Sequence, residues 1–324
     1  MLLSIFYDAG IIFALGAEAG QPLMTRSLCL GLDAPPHLNR ILWDYILQEF
    51  PSVKPSSVLV ADLPALQNLD FPYVWFGLSG IYSSLGNLPI TGWEEVFSWL
   101  EKELDFWNLT NYVGNRYLYS AYAPSDSLSW GQEETFFWLL FRFWRQKLTD
   151  SLSGWPESLK SLVFSSRFLG FDLPLGQKVF PLLEVAPEQG LVEVFLDIGN
   201  YLPCLGMLAS VDRDLYQESL EKLALIRAAA VFRSPGPLVV EIDFGASQSG
   251  QTRISKSSLE VFPLSTHDAA QLAVRLADGR LVPPCEVRGG ELGLIVDGRS
   301  SQQYLRNKDQ ANAWKRKLSQ RRFS

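Results

Sequence analysis

Two prolines, Pro235 and Pro237, mark a change of pattern that limits what this chain can fold into. Before them, apolar runs of strand length alternate with longer runs of helical spacing. After them come short apolar runs bounded by Gly, Pro or Asp: LVVEIDFG, TRISKSSLEVFPL, AQLAVRLADG and GGELGLIVDG. The first pattern predicts an α/β body over residues 1–233, and the second a small all-β module over 238–299. Residues 300–324 are left as a basic C-terminal helix or tail.

Within the body, residues 2–7 and 11–16 read as a strand–turn–strand joined by Asp8-Ala9-Gly10. Residues 38–50 carry a helical face ended by Pro51 and Pro55. Residues 56–62 and 71–78 read as buried strands. Residues 93–107 form the clearest helix, with Thr91 as N-cap and Glu94 at the capping-box spacing. A second helix is expected at 133–148. Glu133 and Glu134 would lie in its first turn, with Arg142, Arg145 and Lys147 near its end, signs that suit the helix dipole. Its middle is apolar on nearly every side, as in a helix buried within a domain; contact with a membrane is the alternative. A strand at 161–164, a helix after Leu175, a strand at 191–197 and a helix at 213–230 complete the body.

Composition narrows the function. The chain is 47% apolar and 13% aromatic, enough to bury a large core. Its net charge of −7 argues against nucleic-acid binding by the body. The last nineteen residues hold seven of the 28 basic side chains and one of the 35 acids, leaving 21 basic and 34 acidic groups in residues 1–305. The chain is an acidic body with a basic tail. Cys29, Cys204 and Cys285 are far apart, and His37 and His267 lie near no cysteine, so no zinc spacing exists. No segment approaches the roughly 20 apolar residues of a membrane-spanning helix. The start, MLLSIFYDAG, has no basic leader. The expectation is a soluble, cytoplasmic protein with no metal and no bound cofactor.

The strand at 191–197 ends in Asp197-Ile198-Gly199, the outline of a phosphate-binding loop. Such a loop needs glycines for close backbone approach and Ser, Thr or Lys to meet the anion. Here Asn200-Tyr201-Leu202-Pro203 follows, and Pro203 has no amide donor. The residues predict a strand ending in a turn, with Cys204 and Leu205 packed in the core.

Three stretches in order resemble the MutL protein family of the glutamate mutase operon (not the mismatch-repair protein that shares its name). They are the helix EEVFSWLEKEL with LTNYVGNRYLYSAYAPSD and the aromatic helix after it, SLVFSSRFLG through VFLDIGNYLPCLGMLASV, and LEVFPLSTHDAAQLAVRL through EVRGGELGLIVDGR. The resemblance implies an α/β fold with one or more actin-like (ribonuclease H-like) lobes, the front lobe reduced. It implies kinship with actin-like ATPases that support a cobalamin-dependent mutase. It also implies that Asp197-Ile198-Gly199 leads into the family's "LLPALGA" segment, which is not a phosphate loop.

The nucleotide signals the family would carry are damaged. Asp8-Ala9-Gly10 fits a phosphate loop, but Ile11-Ile12-Phe13 follows it with no hydroxyl. At the adenosine loop the resemblance implies Gly-Gly, and the chain has Ser165-Ser166 followed by Arg167. Were ATP with Mg to bind, Asp8, Gly10 and Arg167 would serve it. No P-loop, Rossmann run or nucleophile elbow is present, and Asp105, Asp126, Glu133 and Glu134 form no acid–base pair. No catalytic residue is assigned.

In the tail, Ala311, Trp314 and Leu318 fall on one helical stripe. One reading is a solvated closing helix docked by Trp314. The other is contact with a protein partner or an anionic surface through Lys308, Trp314, Lys315, Arg316, Lys317, Arg321 and Arg322. The expected function is a non-catalytic actin-fold scaffold or partner-binding protein. The alternatives are an ATP-dependent chaperone or reactivating factor and a peripheral adaptor acting through the tail.

Overall fold

The computed structural model describes residues 1–8, 11–29, 44–45, 48–50, 53–54, 58–61, 73–76, 80–83, 86–89, 112, 127–151, 160–165, 175–223, 225–245, 249–299 and 308–319. They form a mixed α/β structure with three sheets and several helices. The chain divides into two compact units. One holds Met1–Leu139, Val163–Gly170 and Asp197–Leu225; the other holds Leu140–Leu162, Phe171–Leu196 and Ile226–Ser324.

In the first unit, β1 (Leu2–Asp8) and β2 (Ile11–Ala17) form an antiparallel pair with Asp8 opposite Ile11. β3 (Met24–Cys29) extends the sheet beyond β2, and β4 (Val58–Ala61) pairs parallel to β1, giving the order β3-β2-β1-β4. Leu3, Ile5, Ile12 and Ala14 pack with Tyr45, Phe50 and Val53 in one cluster. Phe6 and Phe13 stack at 6.4 Å. Because alternate residues point to opposite faces, burial of both sets makes β1 a two-sided strand, which explains its nearly continuous apolar run. A meander follows, β5 (Tyr73–Phe76), β6 (Gly80–Ser83) and β7 (Gly86–Pro89). Of the expected helix at 38–50, residues 44–45 and 48–49 are described and helical; the expected helix at 93–107 lies outside the described residues.

The aromatic helix α1 (Ser127–Ser151) starts six residues before the expected position. Glu133 and Glu134 therefore lie in its interior rather than its first turn. Glu133 is buried and accepts the hydroxyl of Tyr112. Phe136, Phe137, Trp138, Leu140, Phe141, Phe143 and Trp144 are all buried, as the all-round apolar pattern predicts. β8 (Ser161–Ser165), α2 (Leu175–Leu182) with a 3₁₀ turn (Leu183–Val185), and β9 (Gly190–Asp197) follow. Two short helices come next, α3 (Tyr201–Val211) and α4 (Arg213–Glu221).

The expected helix at 213–230 is corrected. It stops at Glu221, and IRAAAVFR forms strand β10 (Ile226–Arg233). Its alanines favour a helix locally, but β10 lies between β9 and β16 (Leu294–Asp297), buried from Ala228 to Arg233. Tertiary pairing overrides a weak propensity there.

The second unit also contains β11 (Leu238–Asp243), β12 (Ser249–Ile254), β13 (Leu259–Phe262), β14 (Ala269–Arg275) and β15 (Leu281–Arg288). β11, β12, β14 and β15 form an antiparallel sheet, while β13 pairs with β16 and β16 with β10. One core joins the two strand sets: Leu238, Val240, Ile242, Leu272 and Val274 against Ala230, Phe232, Leu294 and Val296. β15 lies at a sheet edge, and its pairing with β14 shifts register between Leu272 and Val274, so Pro283 and Pro284 fall in a bulge where the ladder is interrupted.

Helix α5 (Lys308–Ser319) closes the second unit by packing on α2. Ala311, Trp314 and Leu318 are its buried stripe. A Cβ at Gly176 would lie 2.3 Å from the Leu318 carbonyl oxygen, so glycine sets how closely the two helices approach.

Candidate functional site

The D-x-G turn after β9 closes on itself. Asp197 is fully buried at the strand end. Its Oδ1 accepts the N–H of Tyr201 at 2.8 Å, its Oδ2 that of Leu202 at 3.0 Å, and its carbonyl that of Asn200 at 3.2 Å. Pro203 contributes no donor. The first-turn amides of α3, which would otherwise form an anion cradle, are held by the protein's own carboxylate. α3 is therefore capped by a residue four positions upstream. This is a helix missed in the sequence, where Gly199 and Pro203 read as a turn; proline is compatible with a first helical turn because an amide there has no intrahelical partner.

Gly199 serves a local need. A Cβ there would lie 2.1 Å from Cε2 of Tyr201, so glycine makes room for a ring rather than for a phosphate. Asn200 takes the left-handed conformation (φ 53°, ψ 43°), which asparagine adopts more readily than most residues. Its Oδ1 accepts the Ser165 hydroxyl at 2.6 Å. The Cys204 thiol points at the Phe13 carbonyl, 3.8 Å away, and burial, with Asp197 nearby, pushes its pKa up. Cys204 and Leu205 are both core residues, as expected.

Of the residues assigned to a nucleotide, Asp8 ends β1, while Gly10 and Arg167 lie outside the described residues. In the tail, Lys308 opens α5. The Trp314 ring is buried 6.3 Å from that of Phe180. Lys317 pairs with Glu260 and donates to the Leu259 carbonyl at 3.2 Å. Lys315 is half-buried and Arg316 exposed. Arg321 and Arg322 lie outside the described residues. Trp314 and Lys317 are thus engaged within the second unit, and Arg316 is exposed with its Nε donating to the Asn312 carbonyl.

Sequence reading missed a charged cluster in the second unit. Arg299 makes a two-pronged contact with Asp297, Nε to Oδ1 at 2.7 Å and Nη2 to Oδ2 at 2.8 Å. Its guanidinium also stacks over Phe180 and Trp314, 4.9 Å from each ring centre. Arg233 lies 3.6 Å from Asp297 and 3.8 Å from Glu184, and Arg299 lies 3.7 Å from Glu184. All four side chains are buried. Burial pushes Asp297 up, but the Arg299 and Arg233 guanidiniums outweigh it and hold the carboxyl below its ordinary value. The signal available was Asp297-Gly298-Arg299, an acid and a base two places apart at a strand end.

Among the described residues, no group of three or more His, Cys, Asp or Glu could hold a metal, and no helix is long and apolar enough to cross a membrane. No protein-family model, curated protein or solved structure matches the chain.

Proposed function

We propose that this protein is a non-catalytic, actin-fold-like scaffold or partner-binding protein related to the MutL family of the glutamate mutase operon. The observation that carries the non-catalytic part of this reading is the occupation of the α3 amides by Asp197, which removes a second D-x-G turn that could have met a phosphate beside Asp8-Ala9-Gly10. An incoming phosphate would meet a buried carboxylate where a phosphate loop offers free N–H groups, and like charges repel strongly at low dielectric. The antiparallel β1–β2 pair flanking Asp8-Ala9-Gly10, with β4 parallel to β1, supports the actin-like assignment of the first unit. Three aliphatic or aromatic residues after Gly10 leave that turn without a hydroxyl for a γ-phosphate or its Mg²⁺.

Phosphate release from Mg-ATP tests the catalytic half of the proposal. The expected rate is that of buffer alone. Turnover that disappears in Asp8→Ala would reinstate an ATP-dependent reactivating factor.

A further inference from the structure

Three arginines of the second unit converge near residues 183–188. Arg233, 1% exposed, donates Nη1 to the carbonyls of Leu183 at 3.0 Å and Ala186 at 3.4 Å. Arg145 reaches Glu188 Oε1 with Nη2 at 3.4 Å. Arg299 closes the inner side on Asp297.

The counter-charges are unevenly shared. Arg299 takes both oxygens of Asp297. Arg233 is left with carboxylates at 3.6 and 3.8 Å, beyond hydrogen-bond length, and its Nε and Nη2 make no hydrogen bond. Arg145 Nη1 is buried and makes none either. The carboxylate paired with Arg145, Glu188, is 64% exposed, where screening by water weakens it. Burial, and after it the nearby Arg233, pull Arg145 below the ordinary arginine pKa, against the opposing effect of Glu184 and Glu188. Glu184 stands on the inner side, with Oε2 also lacking a hydrogen bond. Buried donors left unmade are costly, and a guanidinium fork matches the oxygens of a phosphate.

We propose that Arg145 and Arg233 bind a phosphate-sized oxyanion against residues 183–188, on the side where the Glu188 carboxylate now stands in for it. The oxyanion is either free phosphate or the phosphoryl group of a larger molecule. The site uses neither Asp8 nor any residue of the Asp197 turn, so it stands or falls independently of the scaffold reading.

The test is calorimetric titration and thermal unfolding of the full chain with inorganic phosphate at constant ionic strength. Phosphate should raise the Tm by a few degrees once well above its Kd, with chloride inert. Arg145→Met should abolish the response. Glu188→Gln, an exposed change, should lower the Kd several-fold by removing a competing carboxylate. A wild-type chain that does not respond, or an Arg145→Met chain that responds equally, overturns the proposal. Should Arg145→Met fail to fold, an affinity unchanged or weaker in Glu188→Gln overturns it. Mg-ADP binding tighter than phosphate, and lost in Arg145→Met, would assign the source to a phosphoryl group; weaker binding would assign it to free phosphate.

Discussion

The carboxylate of Asp197 accepts the backbone N–H of Leu202, five residues later, at 3.0 Å, while its other oxygen holds Tyr201. The first turn of α3 is held by this carboxylate. Hydrogen bonds to a charged group contribute about 1.5–3 kcal/mol each. Asp197→Ala should lower stability by at least about 1.5–3 kcal/mol, measured by urea unfolding. A loss within about 0.5 kcal/mol, typical of a surface change, would show that the cap does not hold α3.

Gly199 and Tyr201 should be coupled. Alanine at 199 forces the Tyr201 ring to move, and overpacking of this kind costs about 1–3 kcal/mol. In a Tyr201→Ala background the Gly199→Ala cost should nearly vanish. A double-mutant cycle with additive losses would contradict the ring's role.

Asp197 and Gly199 of the D-x-G turn were visible in the sequence, but their use was not. A D-x-G after a strand looks the same whether the acid turns outward to a ligand or inward to a helix. The difference depends on the next two amides and on where an aromatic ring lies. The strands β1, β2, β9 and β11 were legible from their apolar patterns. β10 was not, because a central strand buried on both faces loses its alternation, and its alanines then read as helix. β15 was hidden by Pro283 and Pro284, which are excluded from central strands but not from an edge. The arginine cluster was the least legible, since Arg145, Glu184, Arg233 and Arg299 are brought together only by the fold.

Arg299 and Asp297 should dominate acid sensitivity in the second unit. Asp297 has a depressed pKa when folded, so the unfolded chain takes up its proton first, near pH 3.9. Its stabilisation is complete above that value and is lost as pH falls through the lower folded pKa. Asp297→Asn should flatten the stability curve below about pH 4. Arg299→Met leaves a buried carboxylate poorly paired and should cost about 3–5 kcal/mol at neutral pH. An acid limb unchanged in Asp297→Asn would mean that other carboxylates govern it.

Trp314 anchors α5 from within. Trp314→Ala should cost about 3–5 kcal/mol, the usual range for a buried aromatic, and Gly176→Ala should loosen the same helix by pressing on Leu318. Hydrogen exchange of residues 308–319 reads both changes. If α5 instead acted mainly as an adaptor for an anionic surface, Trp314→Ala would leave stability unchanged and abolish salt-sensitive binding.

Cys204 should resist alkylation. Burial raises the pKa of both thiols, but Cys204 is fully buried whereas Cys285 is half-buried and open to reagent. Peptide mapping after brief treatment at neutral pH should find Cys285 labelled and Cys204 labelled only in denaturant. Equal labelling of the two in the folded protein would show that the turn and first helical turn of α3 open readily.

The most direct test of the central claim, that neither the Asp8 turn nor the closed Asp197 turn serves a nucleotide, is thermal unfolding of Arg145→Met with and without millimolar Mg-ATP. This background removes the separate oxyanion site. A nucleotide at about 100 times its Kd would stabilise the fold by about 2.7 kcal/mol, a shift of several degrees. The account predicts an unchanged Tm. An upward shift that Asp8→Ala abolishes would contradict it.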